Sequence, residues 1–221
     1  MSDDVPTLQQ QINLLETQLA HAEARIKQLE TQLSVSAETQ LPNKSACIAW
    51  IENRLKAARY KRKYPFTCMT VVFIDLNSMK AMNTSLGHFA VDDIIVAFAR
   101  FLKENIHEDD VAGHIHGDEF LLLLPLTDEV AARTVIMRID DELRKRTFTV
   151  TSDHDGTLAT IELRAKYGAV TWHRGMEADA LQILRRASAA QRRAKQKQIT
   201  QPDAPAICMS VYEERQSEPV P

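Results

Sequence analysis

A chain of 221 residues with 44% hydrophobic side chains has room for one ordinary domain plus an appendage, or two small domains, each with a real core. Its formal net charge of -3 argues against a nucleic-acid partner, which normally selects a basic surface. Three cysteines at wide, irregular spacing (Cys47, Cys68, Cys208) argue against a disulfide framework and a cysteine zinc site, and fit a reducing, cytoplasmic setting.

The start, Met1-Ser2-Asp3-Asp4, is too polar for a secretory signal, and no apolar stretch approaches the roughly 20 residues that cross a bilayer. A soluble protein without a membrane span is expected. The first element is a heptad. Leu8, Leu15, Ala22 and Leu29 fall at one seam position, and Ile12, Leu19, Ile26 and Leu33 at the other. A strict 3.5-residue period makes a narrow seam, so residues 5–35 are predicted to form a coiled-coil dimerisation helix. The alternative is a lone amphipathic helix lying on its own domain. Arg25 reaches Glu30 of a parallel partner in the coiled-coil reading.

Residues 34–40 read as a polar linker or a continuation of the helix, and Leu41-Pro42-Asn43-Lys44 interrupts the helix. Asn43 or Ser45 then caps a helix running through Ala58. Lys56, Arg59, Lys61, Arg62 and Lys63 form a basic run, read as a solvated helix end with some pull on phosphate. Residues 67–76 alternate as a strand, and 90–105 as an amphipathic helix with Ile94, Ile95, Phe98 and Leu102 inward. A hairpin around Gly117-Asp118 follows, then a helix over 128–146, strands over 147–151 and 159–171, and a helix over 178–198. Residues 201–221 contain four prolines and mixed charge, and are predicted to be a disordered tail. The order predicts an α+β fold, a central sheet flanked by helices, occupying 36–200.

The chemistry concentrates at His114-Ile115-His116-Gly117-Asp118-Glu119-Phe120, which leads into Leu121-Leu122-Leu123-Leu124. Two carboxylates stand at a turn held by a buried strand. Asp75 ends another buried strand, where a carboxylate needs solvent, a cation or a donor. If the two strands are neighbours, Asp75 and Asp118 share a site suited to a hard divalent cation. His114 and His116, two apart on a strand, offer a second reading as ligands of a transition metal with Asp118. His88 is read as a structural hydrogen-bonding residue, and Trp50 and Trp172 as packing residues.

Several motifs in register resemble the GGDEF domain of bacterial diguanylate cyclases. They are Phe73-Ile74-Asp75-Leu76-Asn77 with Lys80 and Asn83, then Leu86-Gly87-His88 with Asp92, then Gly117-Asp118-Glu119-Phe120. Leu41-Pro42-Asn43-Lys44, Tyr167-Gly168 and Ala194-Lys195 extend the similarity across 36–200. The resemblance implies a GGDEF-like, nucleotide-cyclase-like sheet and the condensation of two GTP molecules into cyclic di-GMP by two facing copies. It implies that Asp75, the Leu76 carbonyl and Asp118 hold Mg²⁺ (or Mn²⁺), with Glu119 assisting the metal or deprotonating the attacking hydroxyl. Asn83 and Asp92 would read guanine, Lys80 and Lys195 would neutralise phosphates, and Gly117 and His116 would lie against the substrate. A homodimer held by the zipper, and a regulatory protein partner, fit that scheme.

The sequence departs from the family pattern at specific places. His116 replaces the first glycine of the signature, His114 an arginine, Val91 the glycine before Asp92, and Thr84 the aspartate after Asn83. Asn77, Ser188, Arg192 and Ile199 replace further family residues. The product-inhibition motif falls at His107-Glu108-Asp109-Asp110 and keeps only its aspartate. Two functions follow as expectations: a diguanylate cyclase of reduced activity, or a degenerate module that binds GTP or acts through protein contacts.

Overall fold

The computed structural model describes residues 12, 13, 15–19, 34–60, 65–200 and 206–212, with side chains through 196 in the last helix. The elements in chain order are α1 (Lys44–Tyr60), β1 (Cys68–Leu76), α2 (Met79–Leu86), α3 (His88–Glu104), β2 (Val111–His116), β3 (Glu119–Pro125), α4 (Glu129–Lys145), β4 (Thr147–Thr151), β5 (Leu158–Glu162), β6 (Ala165–His173), α5 (Ala180–Thr200) and β7 (Ala206–Val211). A five-stranded sheet runs β2-β3-β1-β6-β7, and β4 and β5 form a separate hairpin. β1 is central and antiparallel to both β3 and β6, while β6 and β7 are parallel.

The sheet is buried on both faces, which is why 120–124 is a continuous apolar run rather than an alternating one. Val72, Ile74, Phe120, Leu122 and Leu124 point to one face and meet α3 and α4 through Ile94, Phe98, Ile136 and Ile139. Phe98 and Phe120 meet edge to face at 4.9 Å. Val71, Phe73, Leu121, Leu123 and Val170 point to the other face and meet α1 and α5 through Ile51, Leu55, Ile183 and Ala187. The predicted cap of α1 is present: Asn43 Oδ1 accepts from the Ala46 N–H at 3.0 Å. Asp128 caps α4 in the same way, accepting from Ala131.

Two sequence expectations change, and one element is new. The single strand over 159–171 is two strands, β5 and β6, in two different sheets. Residues 79–86 form a short helix that local patterning does not announce. The tail expected to be disordered contains β7, whose Ala206–Val211 pairs in register with residues 166–171. The parallel partner supplies the backbone bonds that a lone proline-flanked hexapeptide lacks. Most of the predicted coiled coil over 5–35 lies outside the described residues, as do Lys61, Arg62 and Lys63. Within it, Ile12, Leu15 and Leu19 are helical and exposed. The three cysteines are free. No helix among the described residues is long and apolar enough to cross a membrane.

Candidate active site

Register alone brings the acidic residues together. Asp75 at the end of β1 lies opposite Glu119 on β3 and opposite Lys166 on β6. Three adjacent strands therefore present the row Glu119–Asp75–Lys166. Asp118 stands in the turn between β2 and β3, where its carbonyl accepts from the Leu76 N–H at 3.1 Å. That bond ties Leu76 to the turn. Gly117 holds the turn with φ +51°, a left-handed value that a side chain would strain.

The carboxylates crowd one another. Burial raises the Asp75 carboxyl above its ordinary range, and the charge of Asp118 raises it further, against the pull of Lys166 and Lys195. Burial also raises Glu119, opposed first by His116 and reinforced by Asp75 and Asp118. A carboxyl raised in the native state binds its proton more tightly there than in the unfolded chain, so its ionisation costs stability. The cost is absent below the ordinary value of 4.5 and complete once the pH exceeds the raised value. Glu119→Gln is therefore expected to melt higher than the parent at pH 8, with the difference vanishing toward pH 4; a pH series of thermal melts checks this.

The two histidines part company, and the transition-metal reading falls. A bulge separates them, shifting the register between His114 and His116. His114 is buried, stacked on Phe120, with Nδ1 2.8 Å from the Ser36 hydroxyl and Nε2 2.9 Å from the Gly117 carbonyl. Neither ring nitrogen is left for a metal. It fastens the segment before α1 to the signature turn instead. His116 points outward, its side chain 72% exposed, and its Nε2 lies 3.1 Å from Glu119 Oε2. Its backbone is not among the left-handed residues, so the expected penalty for histidine in place of glycine does not apply. What it does is engage Glu119.

The guanine-reading candidates lie on α2 and α3. Asn83 Oδ1 is buried without a hydrogen-bond partner, an acceptor in need of a donor. Asp92 is exposed on α3 and close enough to Glu38 for their charges to interact. The elbow between the helices is clamped from 64 residues away. Asp153, in the β4–β5 turn, accepts from the Phe89 N–H at 2.8 Å and the Ala90 N–H at 3.2 Å, while its own N–H donates to Leu86. Its carboxylate occupies the start of α3, a position favourable to negative charge. Sequence reading misses this clamp. Lys195, on α5, acts electrostatically on both Asp75 and Lys166, whereas Lys80 is exposed on α2 without an ion pair among the described residues. His88 is exposed, and its ring makes no hydrogen bond among the described residues, so it is not the structural hydrogen-bonding residue expected. Trp172 packs as expected, with its indole N–H donated to Met176. Asp110, left from the product-inhibition motif, closes a turn by accepting from His107.

Lys166 is the residue the sequence reading overlooked. It is 9% exposed, and its Nζ lies 3.7 Å from Asp75 Oδ1. The available signal is one charged residue inside the apolar strand Ala165-Lys166-Tyr167. A cavity of ≈ 330 Å³ opens beside Glu119, lined by Lys44, His116, Arg185, Ser188 and Arg192. Among the described residues no group of three or more His, Cys, Asp or Glu side chains forms a metal cage. A hard cation is nevertheless compatible with the donors. Mg²⁺ takes one or two carboxylates plus waters and substrate phosphates rather than a full protein cage. Asp75 and Asp118 would supply that pair, and such an ion would relieve the charge crowding at Asp75.

Comparison with known proteins agrees with this geometry. The family model "Diguanylate cyclase, GGDEF domain" matches residues 34–201. The diguanylate cyclase TpbB of Pseudomonas aeruginosa is 30% identical over 145 residues, 63% of this chain and 32% of TpbB. The cyclic di-GMP phosphodiesterase NbdA of the same species is 28% identical over 134 residues, 61% of this chain and 16% of NbdA. The chain thus spans less than a third of the length of these relatives. Among solved structures, the coiled coil and GGDEF domain of DgcB from Caulobacter crescentus, in complex with c-di-GMP, superposes with a TM-score of 0.69 at 15% identity, covering 93% of this chain and all of that one. The diguanylate cyclase SiaD of P. aeruginosa, in complex with its activator SiaC, gives 0.65 at 24% identity over 91% of this chain and 73% of SiaD. Because the family model spans most of the sequence and the sheet brings its acidic signature beside Asp75, the chain belongs to the GGDEF-domain family of diguanylate cyclases and cyclic di-GMP signalling.

Proposed function

We propose that two copies of this chain condense two GTP molecules into cyclic di-GMP, with release of two pyrophosphates. The observation that carries this reading is the alignment of Asp75 with Glu119 beside Asp118, three carboxylates gathered at one sheet end. Each copy holds one GTP. Asn83 accepts from the guanine edge with its unpartnered Oδ1, and Asp92 accepts beside it. Lys195 and Lys80 meet the phosphates, and Gly117 lets the backbone of the turn approach them. A Mg²⁺ or Mn²⁺ ion on Asp75, Asp118 and the Leu76 carbonyl neutralises triphosphate charge when bound. Glu119 assists there or takes the proton of the ribose 3′-hydroxyl. That oxygen bonds to the α-phosphorus of the other GTP, and the bond from this phosphorus to the pyrophosphate oxygen breaks.

Two facing copies are required, and the heptad over 5–35 supplies the tether; linking the domains raises their effective concentration. DgcB, which carries a coiled coil beside the same fold, supports that arrangement, and the SiaD–SiaC complex supports regulation by a protein partner. A cytoplasmic location follows from GTP as substrate.

A second reading has its own observation. Glu119 is held by His116 and Asp75 by Lys166, so the two groups the chemistry needs are internally paired. A module of that kind binds GTP without turnover. NbdA, a phosphodiesterase by name, carries a similar stretch.

Incubation of the protein with GTP and Mg²⁺ at high concentration, with products separated by chromatography, distinguishes the two. Cyclic di-GMP formed by the parent and lost in Asp75→Asn supports the cyclase. GTP binding by calorimetry without product supports the degenerate module. In either case Asn83→Ala is expected to weaken GTP binding by about tenfold, the cost of one lost buried hydrogen bond to the base. Unchanged affinity in a calorimetric titration removes Asn83 from the base site.

A further inference from the structure

Lys166 places its terminal nitrogen beside the carboxylate proposed to hold a cation. It sits on β6 directly across from Asp75, in a strand whose neighbours Ala165 and Tyr167 are buried. Its side chain is 11% exposed and that of Asp75 19%. Both groups are mostly buried, so each charge finds its compensation chiefly in the other. The second lysine, Lys195, adds its field to the same carboxylate. No three-residue metal cage forms around them among the described residues.

We infer that Lys166 is a resident counter-ion of Asp75 that competes with divalent cations for this carboxylate, so that the free protein binds Mg²⁺ or Mn²⁺ weakly. The inference rests on the proposed metal role of Asp75. A cation entering the site must displace an ammonium 3.7 Å from the carboxylate, or share the space with its charge. The strand holds Lys166 opposite Asp75, and that carboxylate is its ion-pair partner among the described residues. An arriving triphosphate changes that balance. Its oxygens offer Lys166 a new partner and release Asp75 to the metal.

The test is Mn²⁺ binding to the full chain without nucleotide, followed by the electron paramagnetic resonance signal of free Mn²⁺. Lys166→Met, which keeps an apolar stem and removes the charge, is expected to bind Mn²⁺ about tenfold or more tighter than the parent. Lys166→Arg, which keeps the charge, binds as weakly as the parent. Lys166→Gln gives the same tightening as methionine and serves if the methionine variant does not fold. Adding Asp75→Asn to either neutral variant abolishes the gain. Equal affinity of the parent and the neutral variants overturns the inference, as does a gain that survives Asp75→Asn. The measurement uses neither GTP nor product. Its failure therefore leaves the cyclase reading standing, and an inactive protein leaves the inference standing.

Discussion

Replacing His116 by glycine is expected to raise cyclic di-GMP formation by about ten- to a hundredfold, as seen in kcat, with little change in GTP affinity. The imidazole lies 3.1 Å from Glu119 and at the rim of the cavity beside it. Removing it has two consequences of the same sign. Glu119 loses the group that lowers its carboxyl pKa, while the burial and the charges of Asp75 and Asp118 that raise it remain. A carboxylate moved toward neutrality is a better acceptor for a hydroxyl proton. The backbone of the turn also becomes open to ribose and phosphate. The cost to folding is small, because glycine in a strand loses only about 0.5–1 kcal/mol relative to alanine.

The charge and the bulk of His116 separate experimentally. His116→Gln keeps a long polar side chain and removes the imidazole. If the ion pair is what restrains Glu119, glutamine and glycine both accelerate turnover. If bulk is what matters, only glycine does. No acceleration with either variant, in a protein that still binds GTP, removes His116 from the account.

How much of this was readable from the sequence depends on whether a feature is local. The run 120–124 announces a strand because its apolar residues are contiguous, and α3 announces itself through Ile94, Phe98 and Leu102 at helical spacing. The approach of Asp75 to Asp118 was anticipated because both lie at the ends of apolar strands. Lys166 was not, because its meaning lies in its register opposite Asp75, 91 positions away by number. The clamp by Asp153 was missed for the same reason, since it acts across 64 residues. β7 was hidden by its prolines: Pro202 and Pro205 precede Ala206, and the strand exists because α5 returns the chain to the free edge of β6. His114 shows the reverse error. Its spacing from His116 suggested a shared face, but a bulge, which no local pattern reports, turns one inward and the other out.

Gly168→Ala is expected to destabilise the domain by about 3 kcal/mol, beyond what its modest chemistry suggests, because the space for a methyl group is filled by backbone. A Cβ at this position would lie 2.0 Å from the Gln191 nitrogen and 2.3 Å from the Ala187 carbonyl oxygen. No side-chain rotation relieves such a contact. Helix α5 lies close on β6 through Ala187, Ala190 and Ala194, all buried, and it can yield only by moving as a body. At about 2–4 °C per kcal/mol for a domain of this size, the melting midpoint falls by about 6–12 °C. Moving α5 also carries Lys195 away from the acidic row while β6 carries Lys166, so both cations of the site shift together. Urea denaturation and GTP calorimetry on the same variant read the two effects. A loss of stability under about 1 kcal/mol would mean that α5 accommodates the methyl without strain, contrary to the close approach of the two backbones. A stable fold with unchanged GTP affinity would separate α5 from the nucleotide site, and with it the role proposed for Lys195.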